Sequence, residues 1–254
     1  MAYRMTRMLF DIHSDAMDLH TQVNVLIPDM EPPKGGFPVL YLLHGKGGDH
    51  TDWTRMAPME YYVRQRYPIC LVMPAVQHSF YRNMEYGLAY YDYIARELPK
   101  KLGRLLPFSD KREETFVCGG SMGGYGAMLL ALNQPERFGW AASISGALDV
   151  WEMMKTGEWP EWQWIFGDGE RYHKSSGDLV HMLGEVKGEK PHLFACCGLE
   201  DGLTNQNHTF VNRAKELGYD ITFVDGHGGH DWNYRNEMVL KVLDWLPLEQ
   251  SEKE

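Results

Sequence analysis

Thr115-Phe116-Val117-Cys118-Gly119-Gly120-Ser121-Met122-Gly123-Gly124-Tyr125-Gly126-Ala127 is the stretch from which the rest of the chain is read. A short apolar run leads into Gly-x-Ser-x-Gly, and a helical pattern through Leu132 follows. Strand, tight turn and helix form the context in which this motif presents a nucleophilic serine. Glycines two before and two after the serine let strand and helix approach without Cβ clashes. The serine itself is expected at a strained backbone position, its Oγ in the open, with the amide of Met122 aimed at a substrate oxygen. A glycine-rich loop at this place can also cradle phosphate. However, neither G-x-G-x-x-G nor G-x-x-x-x-G-K-[ST] fits these residues.

Outward from this stretch, short solid apolar runs recur at Val39–Leu43, Ile69–Met73, Ala141–Ile144, Leu193–Cys197 and Ile221–Val224. Such runs suit parallel strands covered on both faces. Leu19, Thr21, Val23, Val25 and Ile27 alternate instead, as in a half-buried antiparallel strand. Helical faces lie between the runs: Leu88, Tyr91, Ala95 and Leu98; Phe210, Ala214 and Leu217; Val239, Val242, Leu243 and Leu246. Strands alternating with helices imply right-handed crossovers and an α/β fold, a doubly wound and mostly parallel sheet of about eight strands. One domain spanning 1–254 is expected, with a tryptophan-rich excursion at about 146–190 that carries Trp151, Trp159, Trp162 and Trp164. Those tryptophans either wall a substrate site or simply pack against the domain.

A serine nucleophile needs a base within hydrogen-bond reach and an acid to orient that base. In this fold the order along the chain is serine, acid, histidine, each just past a strand end. The run Leu193–Cys197 ends in Gly198-Leu199-Glu200-Asp201-Gly202, which offers Glu200 or Asp201 as the acid. Ile221–Val224 ends in Asp225-Gly226-His227-Gly228-Gly229-His230-Asp231-Trp232, which offers His227 or His230 as the base. His230 is preferred, because Gly228 and Gly229 let the chain turn inward before a helix near Tyr234. His227 reads better as an exposed loop histidine. After Val39–Leu43 comes His44-Gly45-Lys46-Gly47-Gly48, where a glycine-rich loop can supply a second backbone donor to an oxyanion. His44, Asp49, His50 and Asp52 imitate a metal site, but three sit on one expected loop and no H-E-x-x-H helix joins them, so no metal is assigned.

The 254 residues suit one α/β domain with a sizeable core. Net charge is −10 and no Lys/Arg-rich run occurs, which argues against nucleic acid or an anionic membrane as partner. No stretch approaches the roughly 18 apolar residues of a membrane span, nor does the N-terminus carry an apolar signal run, so a cytoplasmic location is expected. Cys70, Cys118, Cys196 and Cys197 form neither a disulfide framework nor a metal spacing.

Taken together, these residues resemble the esterase D branch of the α/β-hydrolases, which includes tributyrin esterases, S-formylglutathione hydrolases, and acetyl-xylan and feruloyl esterases. The resemblance runs from Leu43-His44-Gly45 and Trp53 through Tyr86-Gly87, Glu97-Leu98-Pro99 and Gly119 to Gly124. It continues in Cys197-Gly198-Leu199-Glu200-Asp201, Gly229-His230-Asp231-Trp232 and Trp245-Leu246. It is nearest to the intracellular tributyrin esterases. It implies the α/β-hydrolase fold, a triad of Ser121, Asp201 and His230, and oxyanion donors at the amides of Met122 and Lys46. The choice of Asp201 over Glu200, and of Lys46 over Gly45, comes from the resemblance. S-formylglutathione hydrolases commonly show Leu-Ser-Gly-Leu where this chain has Leu43-His44-Gly45-Lys46, a departure from that subgroup.

The chemistry expected is two-step acyl transfer to water from a short-chain or compact aromatic acyl ester, with no cofactor. An acyltransferase to a sugar or lipid hydroxyl, an S-formylglutathione hydrolase, and a non-catalytic binding protein stand as alternatives. The partner expected is a small-molecule ester. Self-association as a homo-oligomer is left open by the sequence.

Overall fold

The computed structural model describes residues 4–155 and 161–248. Among these residues eight strands are present: β1 (Met5–Ser14), β2 (Leu19–Pro28), β3 (Val39–Leu43), β4 (Cys70–Pro74), β5 (Thr115–Gly120), β6 (Trp140–Ile144), β7 (His192–Gly198) and β8 (Ile221–Gly226). They form one sheet in the order β1-β2-β4-β3-β5-β6-β7-β8. The pairs β1/β2 and β2/β4 are antiparallel, and every pair from β4/β3 to β7/β8 is parallel. The expected doubly wound, mostly parallel sheet is therefore what the chain forms.

Side chains alternate across each strand, so the apolar runs divide between two cores. Val39, Tyr41, Leu43, Val72 and Val117 face one layer, with Leu98, Leu102, Leu130 and Phe210 from the helices packed on them. Leu40, Leu42, Leu71, Phe116 and Cys118 face the other, covered by Trp53, Val63, Met238, Val239 and Val242. The face read over Leu88–Leu98 belongs to a helical segment interrupted by a π-helical turn at Tyr93–Glu97, which continues as the helix Leu98–Leu105. All four cysteines are buried and free. Among the described residues no helix is long and apolar enough to cross a membrane.

One strand, β1, was not expected. It lies at the sheet edge, and its hairpin with β2 is fastened from outside the hairpin. Glu97 accepts hydrogen bonds from Ser14 Oγ (2.6 Å), Asp15 N (2.8 Å) and Ala16 N (3.2 Å), and pairs with Lys101. Partial burial alone would raise the Glu97 carboxyl, but the bonds from Lys101, Ser14 and the two amides hold it down at about 2.

Between β6 and β7 the described chain carries only short helices: Val150–Lys155, Trp162–Phe166, Gly169–Tyr172 and Leu179–Met182. Trp162 is buried against Phe80 (ring centroids 5.2 Å apart) and Phe166 (5.3 Å), whereas Trp151 stacks on His173 at 4.8 Å. Trp164 is 60% exposed. Trp159 lies outside the described residues. Packing thus holds Trp162 and Trp151 in place, and both also line one cavity with Tyr86 and Met154.

Candidate active site

Ser121 stands between the end of β5 and the helix Met122–Asn133, with φ 58° and ψ −119°. This is left-handed backbone for a residue with a Cβ, the strain expected of an exposed nucleophile on a sharp turn. Neighbours enforce it. The Ser121 N–H donates to Ile144 O (3.0 Å), and its carbonyl accepts from Gly124 N (2.9 Å) and Tyr125 N (3.2 Å). A Cβ on Gly119 would run into the Gly123 backbone, and one on Gly123 into the Leu43 carbonyl. Strand, helix and the β3 loop therefore meet where only glycine fits. Met122 is the first residue of the helix, where amides have no intrahelical acceptor and the helix dipole is positive.

Asp201 and His230 come from beyond the ends of the last two strands, β7 and β8. His230 Nε2 lies 2.9 Å from Ser121 Oγ, and His230 Nδ1 lies 2.9 Å from Asp201 Oδ2. The Asp201 side chain is 1% exposed, while the His230 ring is 37% exposed. Burial by itself would raise the Asp201 carboxyl. Bonds from His230 and the Leu203 amide outweigh it and hold the group below the ordinary carboxylate range. The Leu203 N–H reaches Oδ1 at 2.9 Å, so each oxygen of Asp201 has its own donor.

The two adjacent carboxylates part ways. Glu200 points to solvent and takes His227 Nδ1 at 3.0 Å, where His227 is 95% exposed. Its other oxygen accepts from Gly228 N at 2.6 Å, bracing the turn that carries the chain to His230. Gly228 sits at φ 149° in that turn. On the far side, Asp231 caps the helix Trp232–Trp245, accepting from Asn233 N (2.8 Å) and Tyr234 N (3.0 Å). The helix thus starts two residues before the expected Tyr234. His230 is clamped between a braced turn and a helix cap.

The loop after β3 is held by its carbonyls. Trp53 Nε1 donates to Leu43 O (3.0 Å), Tyr81 Oη to His44 O (2.9 Å), and His44 Nδ1 to Gly45 O (2.8 Å). Val76 N donates to His44 Nε2 at 3.1 Å, which fixes the ring as the neutral Nδ1–H tautomer. Burial pushes the His44 imidazole down as well. A peptide unit is planar, so its N–H points opposite to its C=O. Securing the His44 and Gly45 carbonyls therefore also orients the amides of Gly45 and Lys46. A Cβ on Gly45 would lie 3.5 Å from Ser121 Cβ, which places this loop against Ser121. The Lys46 side chain is turned away to Glu161, with Nζ–Oε1 2.6 Å, and ties the loop to the segment after β6. Sequence reasoning passed over Tyr81 and the ring of His44, whose contributions exist only across 37 and 32 residues of chain.

The chain matches the "Putative esterase" family over residues 14–243. It belongs to that esterase family. A full-length relative is an acetyl esterase of Caldicellulosiruptor saccharolyticus, 26% identical, covering 95% of this chain and 98% of that one. Among solved structures, the fluorophosphonate-binding serine hydrolase FphF of Staphylococcus aureus superposes with a TM-score of 0.88 at 28% identity, covering 96% of this chain and 98% of that one. The S-formylglutathione hydrolase FrmB of the same organism superposes at 0.85 and 29% identity, covering 96% and 99%. The esterase family member described here has the α/β-hydrolase fold and is a carboxylic ester hydrolase.

Proposed function

We propose that this esterase is a serine carboxylesterase in which Ser121, His230 and Asp201 act as nucleophile, base and acid. The reading is carried by the unbroken relay from Asp201 Oδ2 through His230 to Ser121 Oγ, 2.9 Å at each link. His230 Nε2 takes the hydroxyl proton as Oγ attacks the ester carbonyl, and Asp201 stabilises the imidazolium that forms. The amides of Met122 and Lys46 receive the tetrahedral oxyanion. His230 then passes its proton to the leaving alcohol. Water enters, loses a proton to His230, and releases the acid from Ser121.

The preferred substrate in this reading is a short acyl ester of a small alcohol. Support comes from the full-length relative named an acetyl esterase, and from Trp162, packed on Phe80 and Phe166 as a fixed block instead of a separable lid. Buried methylenes contribute at most ~0.8 kcal/mol each and clash once a small pocket is full. The kcat/KM values for p-nitrophenyl esters are therefore expected to peak between acetate and butyrate. They should fall steeply beyond about six carbons, and a maximum at octanoate or longer would refute the short-acyl reading. S-formylglutathione belongs on the same panel, because the S. aureus neighbour of 29% identity carries that activity in its name. Ser121→Ala is expected to lower kcat by roughly 10³-fold or more with an unchanged melting curve. Near-wild-type turnover in that variant would overturn the assignment. A single domain in the cytoplasm completes the proposal, since four buried free thiols suit a reducing compartment.

A further inference from the structure

Behind the nucleophile lies a cation that the relay does not use. Arg235, one turn into the helix Trp232–Trp245, runs its side chain past Gly120 toward the β3 loop. A Cβ on Gly120 would lie 3.1 Å from Arg235 Nε and 3.2 Å from Cδ, and one on Gly45 would lie 4.0 Å from Nη1. The absence of a side chain at Gly120, the residue before Ser121, is what leaves room for the arginine. Its Nε is buried with no hydrogen-bond partner. Trp232 covers one face of the guanidinium, 5.2 Å from ring centroid to Cζ. Asp52, Asp201 and Asp231 surround it and act on it through space, yet among the described residues none closes an ion pair with it. A half-buried arginine would ordinarily be fully paired, because desolvating an unpaired charge costs several kcal/mol.

We propose that Arg235 is a positioning residue for the reaction, its fixed positive charge set behind Gly120 and Gly45 to favour negative charge on the substrate oxygen. The inference rests on the Ser121 reading and deepens it. Three carboxylates lie around the site, and each opposes the growth of an oxyanion. Arg235 is the cation set among them, and it acts through a wall of backbone that excludes water, where charge interactions are strong. Burial lowers its pKa from the ordinary arginine value against the opposing pull of Asp201, Asp52 and Asp231, although a guanidinium stays charged at neutral pH. A fully paired arginine would have spent its field on its partner.

The experiment compares wild type, Arg235→Met and Arg235→Lys for kcat and KM on p-nitrophenyl acetate, for melting temperature, and for the rate of fluorophosphonate labelling. Arg235→Met keeps the length of the stem without the charge. It is expected to lower kcat and labelling by roughly 10- to 100-fold, with KM within about twofold and the melting temperature unchanged or raised. Arg235→Lys should recover most of the lost kcat. Wild-type kcat in Arg235→Met overturns the proposal. So does an equal loss of kcat and melting temperature in both variants, which marks a packing role. If Arg235→Met does not fold, Arg235→Gln replaces it, and a lysine variant no faster than the glutamine variant refutes a role for charge. Failure of the underlying reading shows separately, as retained activity or labelling in Ser121→Ala.

Discussion

Replacing Asp201 by asparagine changes one atom of the relay, and the surrounding bonds dictate how. Oδ1 accepts the Leu203 N–H at 2.9 Å, while Oδ2 faces His230 Nδ1 at 2.9 Å. The Leu203 amide needs an acceptor, so the asparagine oxygen takes the Oδ1 position and its NH2 group faces the imidazole. His230 must then accept at Nδ1 and carry its proton on Nε2, where it can no longer take one from Ser121. Flipping the amide restores the tautomer but leaves the Leu203 N–H facing a donor, at a cost of about 1–3 kcal/mol. Loss of the carboxylate's charge-assisted bond to the imidazolium adds about 1.5–3 kcal/mol. Together these give roughly 2.5–6 kcal/mol, or about 10²- to 10⁴-fold in kcat/KM. The assay is p-nitrophenyl acetate hydrolysis at pH 7–8, with Glu200→Gln as comparison. That variant alters only an exposed contact with His227 and is expected to keep most of the activity. Should Asp201→Asn stay within tenfold of wild type, or Glu200→Gln prove the more damaging, the relay has been assigned to the wrong carboxylate.

Two further outcomes follow from the scaffold. His44→Phe removes the ring bonds to Gly45 O and Val76 N, so kcat is expected to drop roughly 10- to 100-fold with little change in KM, and stability by about 1–3 kcal/mol; wild-type kcat would show that the loop holds its shape without the ring. Glu97, held at about 2, contributes stability that is fully present above the ordinary carboxylate value and lost as pH falls through about 2. The stability gap between wild type and Glu97→Gln in urea melts, about 1–3 kcal/mol at pH 7, should therefore narrow below pH 4.5, and a gap that widens on acidification contradicts the hairpin role.

The parallel half of the sheet was legible because strands buried on both faces read as solid apolar runs. β1 was not, although Met8, Phe10 and Ile12 alternate correctly, because Leu9 interrupts the polar face and is 59% exposed at an edge with no covering layer. Ser121 announced itself through local strain, which demands glycines at fixed spacing. Glu200 and Asp201 could not be separated by any local rule, since the turn after β7 alone decides which carboxylate points inward. Arg235 and Tyr81 left no mark at all. Their meaning lies in what the fold sets beside them, an empty Cβ at Gly120 and a carbonyl at His44.

The relay also spans parts of the molecule that are not equally secure. Ser121 is rooted in the middle of the sheet, but His230 hangs from the end of β8, an edge strand that among the described residues pairs with β7 alone and is only partly buried along its length. Hydrogen-bonded edges open at lower free energy than the strands inside them. Peeling of this one margin would withdraw the imidazole and leave the other seven strands in register. Under the proposed roles, hydrolysis is then a gauge of how firmly the last strand is zipped, and a heated sample is expected to fall silent catalytically while its sheet is still largely assembled.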